Sequence, residues 1–436
     1  MIFIISEPMP LISSNTEMES DRFVLYFNHI PKTGGTSLTL WLHSLFLGAE
    51  IVPDLHIHPD RRISLVKSGL QFISGHHACT VHGDGSGGFH EITWLREPRA
   101  WIRSFYKYFL TFDFSSLDEH HQADDSMRRI KEMSYPKFID HYCLQKNGLV
   151  GYQSRYLYSM SSIQLDRDKR WNVREKSRKR IKEFAFVGSL GHMQESVDLF
   201  CHRFRLPPKK FLHWENRSRG GIDFTSADEE KFLKNNPDVS LYRRIDEKVC
   251  LDHANMAYAL GLGGVGAGAD VLHDAIRRDF CENGNPHFHK RCLREGLAML
   301  GDGWGPELTW GKIQPRQIRW ARQSRSFDVY VPIYGPSDHS VEFNLLYYLF
   351  NPNGGSLSLR IDGDEIDFSL SSASDEDYPH AMKLRALIPA SRITHEARFL
   401  HLVIEVSVDA YAQAAGKGGD TVNVFATDAI RVRTVG

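Results

Sequence analysis

An apolar run, Arg22-Phe23-Val24-Leu25-Tyr26-Phe27, leads into the turn Pro31-Lys32-Thr33-Gly34-Gly35-Thr36-Ser37. Beyond it, Leu38, Leu40, Trp41, Leu42 and Leu45 return at helical spacing. A buried strand passing through a glycine turn into a helix is the start of an α/β domain with a parallel sheet, and it builds an anion cradle. Gly34 and Gly35 let the backbone approach an oxyanion. The free N–H groups near Thr36 and Ser37 point at it, and the helix dipole favours negative charge there. Lys32 adds a full positive charge before the turn. The common phosphate loop ends Gly-Lys-Ser/Thr, whereas here the lysine precedes the glycines and no Gly-Lys pair follows in the turn.

The 436 residues exceed one typical domain, so two are expected. A hydrophobic fraction of 42% suffices for real cores, and a formal charge of −1 gives no global field to attract nucleic acid. Any anion site must be local. The N-terminal Met1-Ile2-Phe3-Ile4-Ile5 lacks a basic flank and is followed by Glu7, Pro8 and Pro10, so it reads as neither signal peptide nor anchor. No apolar run reaches the roughly 18 residues of a membrane span, and the chain reads as soluble and cytoplasmic. The six cysteines are scattered and read as reduced core thiols. Cys281, His287, His289 and Cys292 form a Cys-x5-His-x-His-x2-Cys run whose spacing matches no common zinc finger, and no metal is expected.

From about residue 20 to 260, short apolar runs alternate with amphipathic stretches. Strands are expected at 22–28, 70–74, 91–95 and 184–188, and helices at 36–47, from Pro98 to Leu110, at Met193–Phe204 and at Ser240–Leu260. Pro98 suits a helix N1 position, and Ser226-Ala227-Asp228-Glu229 is a capping-box signature. The glycine-rich stretch 261–269 marks a linker with helical segments extending to 300. After Gly301, alternation replaces helical periodicity, with strands expected at 327–334, 341–348, 356–361, 398–406 and 429–435. Several short strands at this spacing suggest a sandwich or jelly roll. Trp304 and Trp310 read as core packing in preference to an exposed sugar platform.

Two further segments carry chemistry. In Trp94-Leu95-Arg96-Glu97-Pro98, with Ser104 eight positions after Arg96, a guanidinium at a strand end offers a bidentate fork for phosphate. Arg99 and Arg103 lie four apart on one helix face and read as solvated. Phe72-Ile73-Ser74-Gly75-His76-His77 is a strand ending in Gly-His. The basic run from Arg167 to Lys182 reads as a solvated helix face, with an anionic landing strip as the alternative.

The order Pro-Lys-Thr-Gly-Gly-Thr-Ser-Leu resembles the 5′-phosphosulfate loop of sulfotransferases that use 3′-phosphoadenosine 5′-phosphosulfate (PAPS). Within them it looks most like the carbohydrate branch containing heparan sulfate 2-O-sulfotransferases, in a bacterial-type form without a membrane anchor. The resemblance covers about residues 20–260, with less specific support from Phe186–Gly188, Glu195–Phe200 and His213–Ser218. It implies that Lys32, Thr33, Gly34, Gly35, Thr36 and Ser37 hold the 5′-phosphosulfate. Arg96 and Ser104 would hold the 3′-phosphate, and His76 would take the acceptor proton, with His77 as rival. By the logic of phosphoryl transfer, Lys32 would neutralise charge on the departing oxygen, in a scheme that requires no divalent metal.

The expected fold class is α/β: a P-loop-like parallel sheet flanked by helices (20–260), the linker (261–300), and an all-β, jelly-roll-like sandwich (301–436). The sandwich is a candidate carbohydrate-binding module. The expected function is sulfuryl transfer from PAPS to a hydroxyl of a saccharide or glycan, in the chemistry of polysaccharide biosynthesis. The rivals are a nucleotide-dependent kinase with an atypical phosphate loop and a non-catalytic glycan-binding protein. Acceptor and oligomeric state are not legible.

Overall fold

The computed structural model describes residues 23–45, 72–75, 89–112, 129–145, 149–157, 170–211, 226–263, 268–310, 316–322, 324–350, 356–373, 378–394, 396–417 and 423–435. His76, His77 and the His213–Ser218 segment lie outside them.

The first strand, β1 (Val24–Asn28), is buried at every position. It runs through the turn into α1 (Gly35–His43). β2 (Phe72–Gly75) and β3 (Phe89–Leu95) flank β1, and β4 (Phe186–Ser189) completes a parallel sheet of order β2-β1-β3-β4. Helices cover it, which is why β1 reads as a continuous apolar run instead of an alternation. Leu38, Trp41 and Leu42 of α1 pack with Leu25, Phe27 and Trp94, joined by Val197 and Phe200 of the helix Met193–Phe204. A separate cluster sets Leu241, Ile245 and Val249 of the helix Pro237–Ala259 against Leu95 and Phe184. Trp94 fits because Gly188 on neighbouring β4 has no side chain; a Cβ there would overlap the indole.

Pro98 opens α2 (Pro98–Thr111) at its first turn, as the sequence predicts, with the Glu97 carboxylate accepting from the amides of Arg99 (3.0 Å) and Ala100 (2.6 Å). Helices Ala269–Asn283 and Pro286–Glu295 follow the glycine-rich stretch. Phe280, Phe288 and Cys292 from these helices share one apolar cluster with Phe23 and Leu25 on one side and Tyr330 and Phe399 on the other.

Residues 299–434 build three antiparallel sheets, in the strand orders Tyr347–Tyr348, Asn423–Thr427, Arg316–Arg322, Trp304–Trp310; Asp364–Ile366, Leu357–Ile361, Phe399–Val406, Ser326–Pro332, Met299–Leu300; and Phe368–Ser372, Met382–Ile388, His339–Leu345, Ile430–Thr434. Three of the strands matter below: β5 (Met299–Leu300), β8 (Ser326–Pro332) and β15 (Phe399–Val406). Each of the five strand segments expected beyond Gly301 coincides with a strand. The sequence reading missed those at Arg316–Arg322, Met382–Ile388 and Asn423–Thr427, and also a helix at Val408–Lys417 that interrupts the alternation. One apolar core draws on the three sheets, including Val329, Val341, Leu384, Leu402 and Phe425. Trp304 is fully buried in it, its indole N–H donating to the Asp328 carbonyl at 2.9 Å, so it packs and offers no sugar platform. The Trp310 side chain lies outside the described set.

Among the described residues no helix is long and apolar enough to cross a membrane. Of the five described cysteines, all free, Cys143, Cys201 and Cys292 are buried.

Candidate anion site at the sheet edge

All four strands of the parallel sheet end on one edge. β1 and β3 are neighbours whose chains cross the sheet in opposite directions, β1 toward β2 and β3 toward β4. That divergence opens a crevice at their C-terminal ends, the usual ligand position in such sheets. The turn after β1 and the Arg96 junction after β3 meet there.

The turn is built from strained and bare positions. Lys32 has φ 67° and Gly34 φ 82°, both left-handed. For lysine that conformation costs about 1–3 kcal/mol and persists only where the surroundings enforce it. The enforcement comes from α2 and the β3 end. Trp101 Nε1 donates to the Pro31 carbonyl (2.8 Å), and Arg96 Nη1 to the Lys32 carbonyl (3.1 Å). The Lys32 ammonium lies 4.2 Å from the Tyr108 ring centre, a cation–π contact. Thr33 is buried, and its hydroxyl donates to the Ile30 carbonyl at 2.8 Å, so its side chain serves the turn itself.

The two glycines have different reasons. Gly34 needs its positive φ, and a Cβ there would also press on Leu190 Cδ1 at 2.9 Å. Gly35 has ordinary backbone geometry, but a Cβ on it would lie inside the imidazole of His29. His29, unremarked in the sequence, is buried and stacked on Phe27 with ring centres 5.6 Å apart. Gly34 caps α1 without a side chain, and the first turn of the helix contains no acidic residue. The positive end of the helix therefore meets no carboxylate of its own. Thr36 is exposed and Ser37 half-buried in that turn.

Arg96 is fixed from behind. Its amide donates to Gln153 Oε1 (2.9 Å), and Gln153 Nε2 donates back to the Arg96 carbonyl (2.8 Å). Gln153 is seated by buried Asp238, whose carboxylate accepts from the amides of Gln153 and Ser154. Burial holds the Lys32 ammonium below its usual 10.5, and the charge of Arg96 beside it acts the same way. Burial likewise lowers Arg96 from 12.5, opposed by Glu97. Among the described residues neither cation forms an ion pair with a carboxylate. Ser104 is half-buried and shares a face of α2 with Trp101 and Tyr108, at i, i+3 and i+7.

β2 ends at Gly75, paired with Asn28, and the Gly75 carbonyl accepts the His29 amide at 2.8 Å. The chain thus reaches the residue before His76 at the same edge as the turn.

Arg99 and Arg103 are not simply solvated. Arg103 makes a bidentate pair with Glu229 (2.5 and 2.7 Å), and Arg99 lies 3.6 Å from Glu229 and pairs with Glu230. The Glu229 side chain is fully buried and also accepts from the Tyr135 hydroxyl, so both arginines, still about one-third exposed, are tied to a buried carboxylate. In the basic run, the helix Arg170–Arg180 exposes Arg174, Lys176, Arg178 and Lys179 as expected. Arg180 instead is buried and paired with Glu91 of β3. The Cys281–Cys292 run does not converge: Cys292 lies in the apolar core, and His289 Nε2 faces the Ile333 carbonyl at 3.3 Å. Ligand atoms do approach one another at His273, Asp302 and Asp328, a group of scattered origin that no spacing in the sequence announces.

No protein-family model matches the chain, and no curated protein matches it. Two solved structures bear a distant likeness. One is a mouse sulfotransferase, SULT7A1, complexed with PAP: 11% identity, TM-score 0.25, covering 65% of this chain and 88% of that one. The other is a family GH115 4-O-methyl-α-glucuronidase, BtGH115A, with specificity for decorated arabinogalactans: 10% identity, TM-score 0.20, covering 88% of this chain and 57% of that one. At these scores neither carries an argument, and the reading of the site rests on its own residues.

Proposed function

We propose that the chain is a PAPS-dependent sulfotransferase that sulfates a hydroxyl of a saccharide. The observation that carries the reading is the pairing of Lys32 and Arg96, two partly desolvated cations joined through the Lys32 carbonyl and with no carboxylate in ion-pair contact among the described residues. Half-buried charge of one sign is best balanced by an anion. The cations stand beside the acid-free N-terminus of α1, in the crevice where a nucleotide is received.

In this reading the amides of Gly34, Gly35, Thr36 and Ser37 hold the 5′-phosphosulfate, and Arg96 with Ser104 grips the 3′-phosphate. The acceptor oxygen attacks sulfur in line. A new S–O bond forms as the bridging S–O bond to the 5′-phosphate breaks, the acceptor proton passes to His76, and 3′-phosphoadenosine 5′-phosphate (PAP) leaves. Lys32 neutralises the charge that develops on the departing oxygen, where a fixed cation in a dry site is most effective. The part from 301 to 436 is read as a jelly-roll-like sandwich that helps hold the glycan.

The test is binding of PAP to the purified chain, with ATP as comparison, followed by transfer of labelled sulfate from PAPS to glycan extracts. Wild type should bind PAP in preference to ATP, and Arg96→Ala should lose that preference. A folded wild-type protein that ignores PAP sinks the proposal.

A further inference from the structure

We propose that His273, Asp302 and Asp328 bind one divalent transition-metal cation of the zinc class, bracing the helix Ala269–Asn283 against the β8–β15 sheet. The three come from separate elements: His273 from the first turns of that helix, Asp302 from the turn after β5, and Asp328 from β8. Their donor atoms all lie within 4.8 Å of one another. A tetrahedral cation with ~2.1 Å bonds sets its donors ~3.4 Å apart, so a small inward rotation of these side chains closes the site. One imidazole with two carboxylates is a donor set for zinc or its neighbours rather than for calcium, which takes oxygen alone.

The supports of the ligands are already in place. His401 Nε2 contacts Asp328 Oδ1 at 2.9 Å, and the Lys210 amide donates to Asp302 Oδ1 at 2.5 Å. Each carboxylate is thus oriented through one oxygen, the arrangement that tunes a metal ligand from behind. Asp302 Oδ2 stands 3.1 Å from His273 Nε2. The backbones of the two acidic positions are also tied, Gly301 N to Asp328 O (2.9 Å) and Asp328 N to Asp302 O (3.1 Å).

One observation beyond the ligand count also favours a cation there. His273 Nε2 is buried and meets Asp302 Oδ2 as an ion-pair contact at 3.1 Å, without a well-aligned hydrogen bond. Moreover, the only ion-pair partners of the two carboxylates among the described residues are the imidazoles of His273 and His401. A buried imidazole nitrogen facing carboxylates whose only ion-pair partners are imidazoles makes a set of lone pairs that a bound cation would gather. Asp328 and its support His401 line a cavity of about 580 Å³, together with Arg277, Cys281 and Thr394, so one of the three ligands borders open space.

The experiment uses the full chain, stripped with chelator and then titrated separately with Zn²⁺ and Co²⁺. One equivalent should bind and raise the melting temperature, and Co²⁺ should give visible ligand-field bands of a nitrogen–oxygen site. Asp302→Asn keeps the acceptor for the Lys210 amide and so preserves the fold contact; its Zn²⁺ affinity, like that of His273→Gln, should fall at least tenfold. His401→Gln, which removes the support of Asp328 and leaves all three ligands in place, should weaken binding about 10–100-fold. Wild-type chain that is folded by circular dichroism yet takes up neither ion overturns the proposal. So does an Asp302→Asn variant that binds Zn²⁺ as tightly as wild type. The Co²⁺ spectrum of the wild type decides the matter even where a variant fails to fold.

Discussion

The imidazole of His29 occupies the volume that a side chain on Gly35 would need, so a residue buried at the end of β1 dictates the first residue of α1. The glycine turn is therefore held by a side chain packed beneath it as well as by its own backbone preferences. Gly35→Ala should destabilise the protein by about 1–3 kcal/mol through overpacking. His29→Ala combined with Gly35→Ala should recover part of that loss, measured by a double-mutant cycle in urea. Strict additivity of the two changes would contradict the packing relationship.

Arg96→Ala should weaken PAP binding by about 1.5–3 kcal/mol, the worth of hydrogen bonds to a charged group, or roughly 10- to 150-fold. Arg96→Lys should recover little, because an ammonium cannot reproduce the planar fork. Calorimetry on the folded variants reads both values.

Lys32 gives the site a pH signature. Its pKa in the folded state lies below 10.5, so between the two values the unfolded chain binds more protons and stability of the ligand-free protein rises with pH. Anion binding has the opposite dependence. It needs the ammonium and should fade in that same window, with proton uptake on binding at alkaline pH. Lys32→Arg should remove the alkaline fall in affinity, and an unchanged profile would show that another group controls it.

Burial, aided by Arg203 and His287, lowers the pKa of His90 to about 4. Between about 4 and 6.5 the unfolded chain holds a proton that the folded chain refuses, so stability present at neutral pH is lost as pH falls through that interval. One group shifted this far is worth about 3 kcal/mol. His90→Gln, packed against Phe23 and Phe204 as the histidine is, should flatten the dependence of the urea midpoint between pH 4 and 6.5.

Arg103→Ala leaves the fully buried Glu229 with only the longer contact to Arg99 and the Tyr135 hydroxyl. It should cost about 3 kcal/mol or more, the penalty of a stranded buried charge. Replacing Arg103 and Glu229 together by Met and Leu should cost less than Arg103→Ala alone. Thermal or urea denaturation distinguishes the two outcomes.

The sequence was legible wherever the signal was local. The Val24–Asn28 strand, the glycine turn before α1, Pro98 at a helix start and the helix Met193–Phe204 all sit where apolar spacing and backbone preferences placed them. The grouping of Lys32 with Arg96 was legible only through a motif resemblance. Nothing within a few residues of either says that β3 lies beside β1.

What remained hidden depends on which chain segments become neighbours. His29 shares a turn with Gly35, yet whether its ring folds under that turn is set by Phe27 and the packed sheet. Glu229 finds Arg103 across 126 positions and so ties a face that reads as solvated to a buried carboxylate. Asp302 and Asp328 look like ordinary polar residues in a strand-rich region until the helix Ala269–Asn283 brings His273 over them. The sequence by itself determined the alternating α/β plan, the cationic glycine turn and the later antiparallel strands, because these follow from residue spacing and φ/ψ preference. Only the tertiary structure decided which charges are buried together and which need a partner, because desolvation is a property of the assembled core and not of any local stretch.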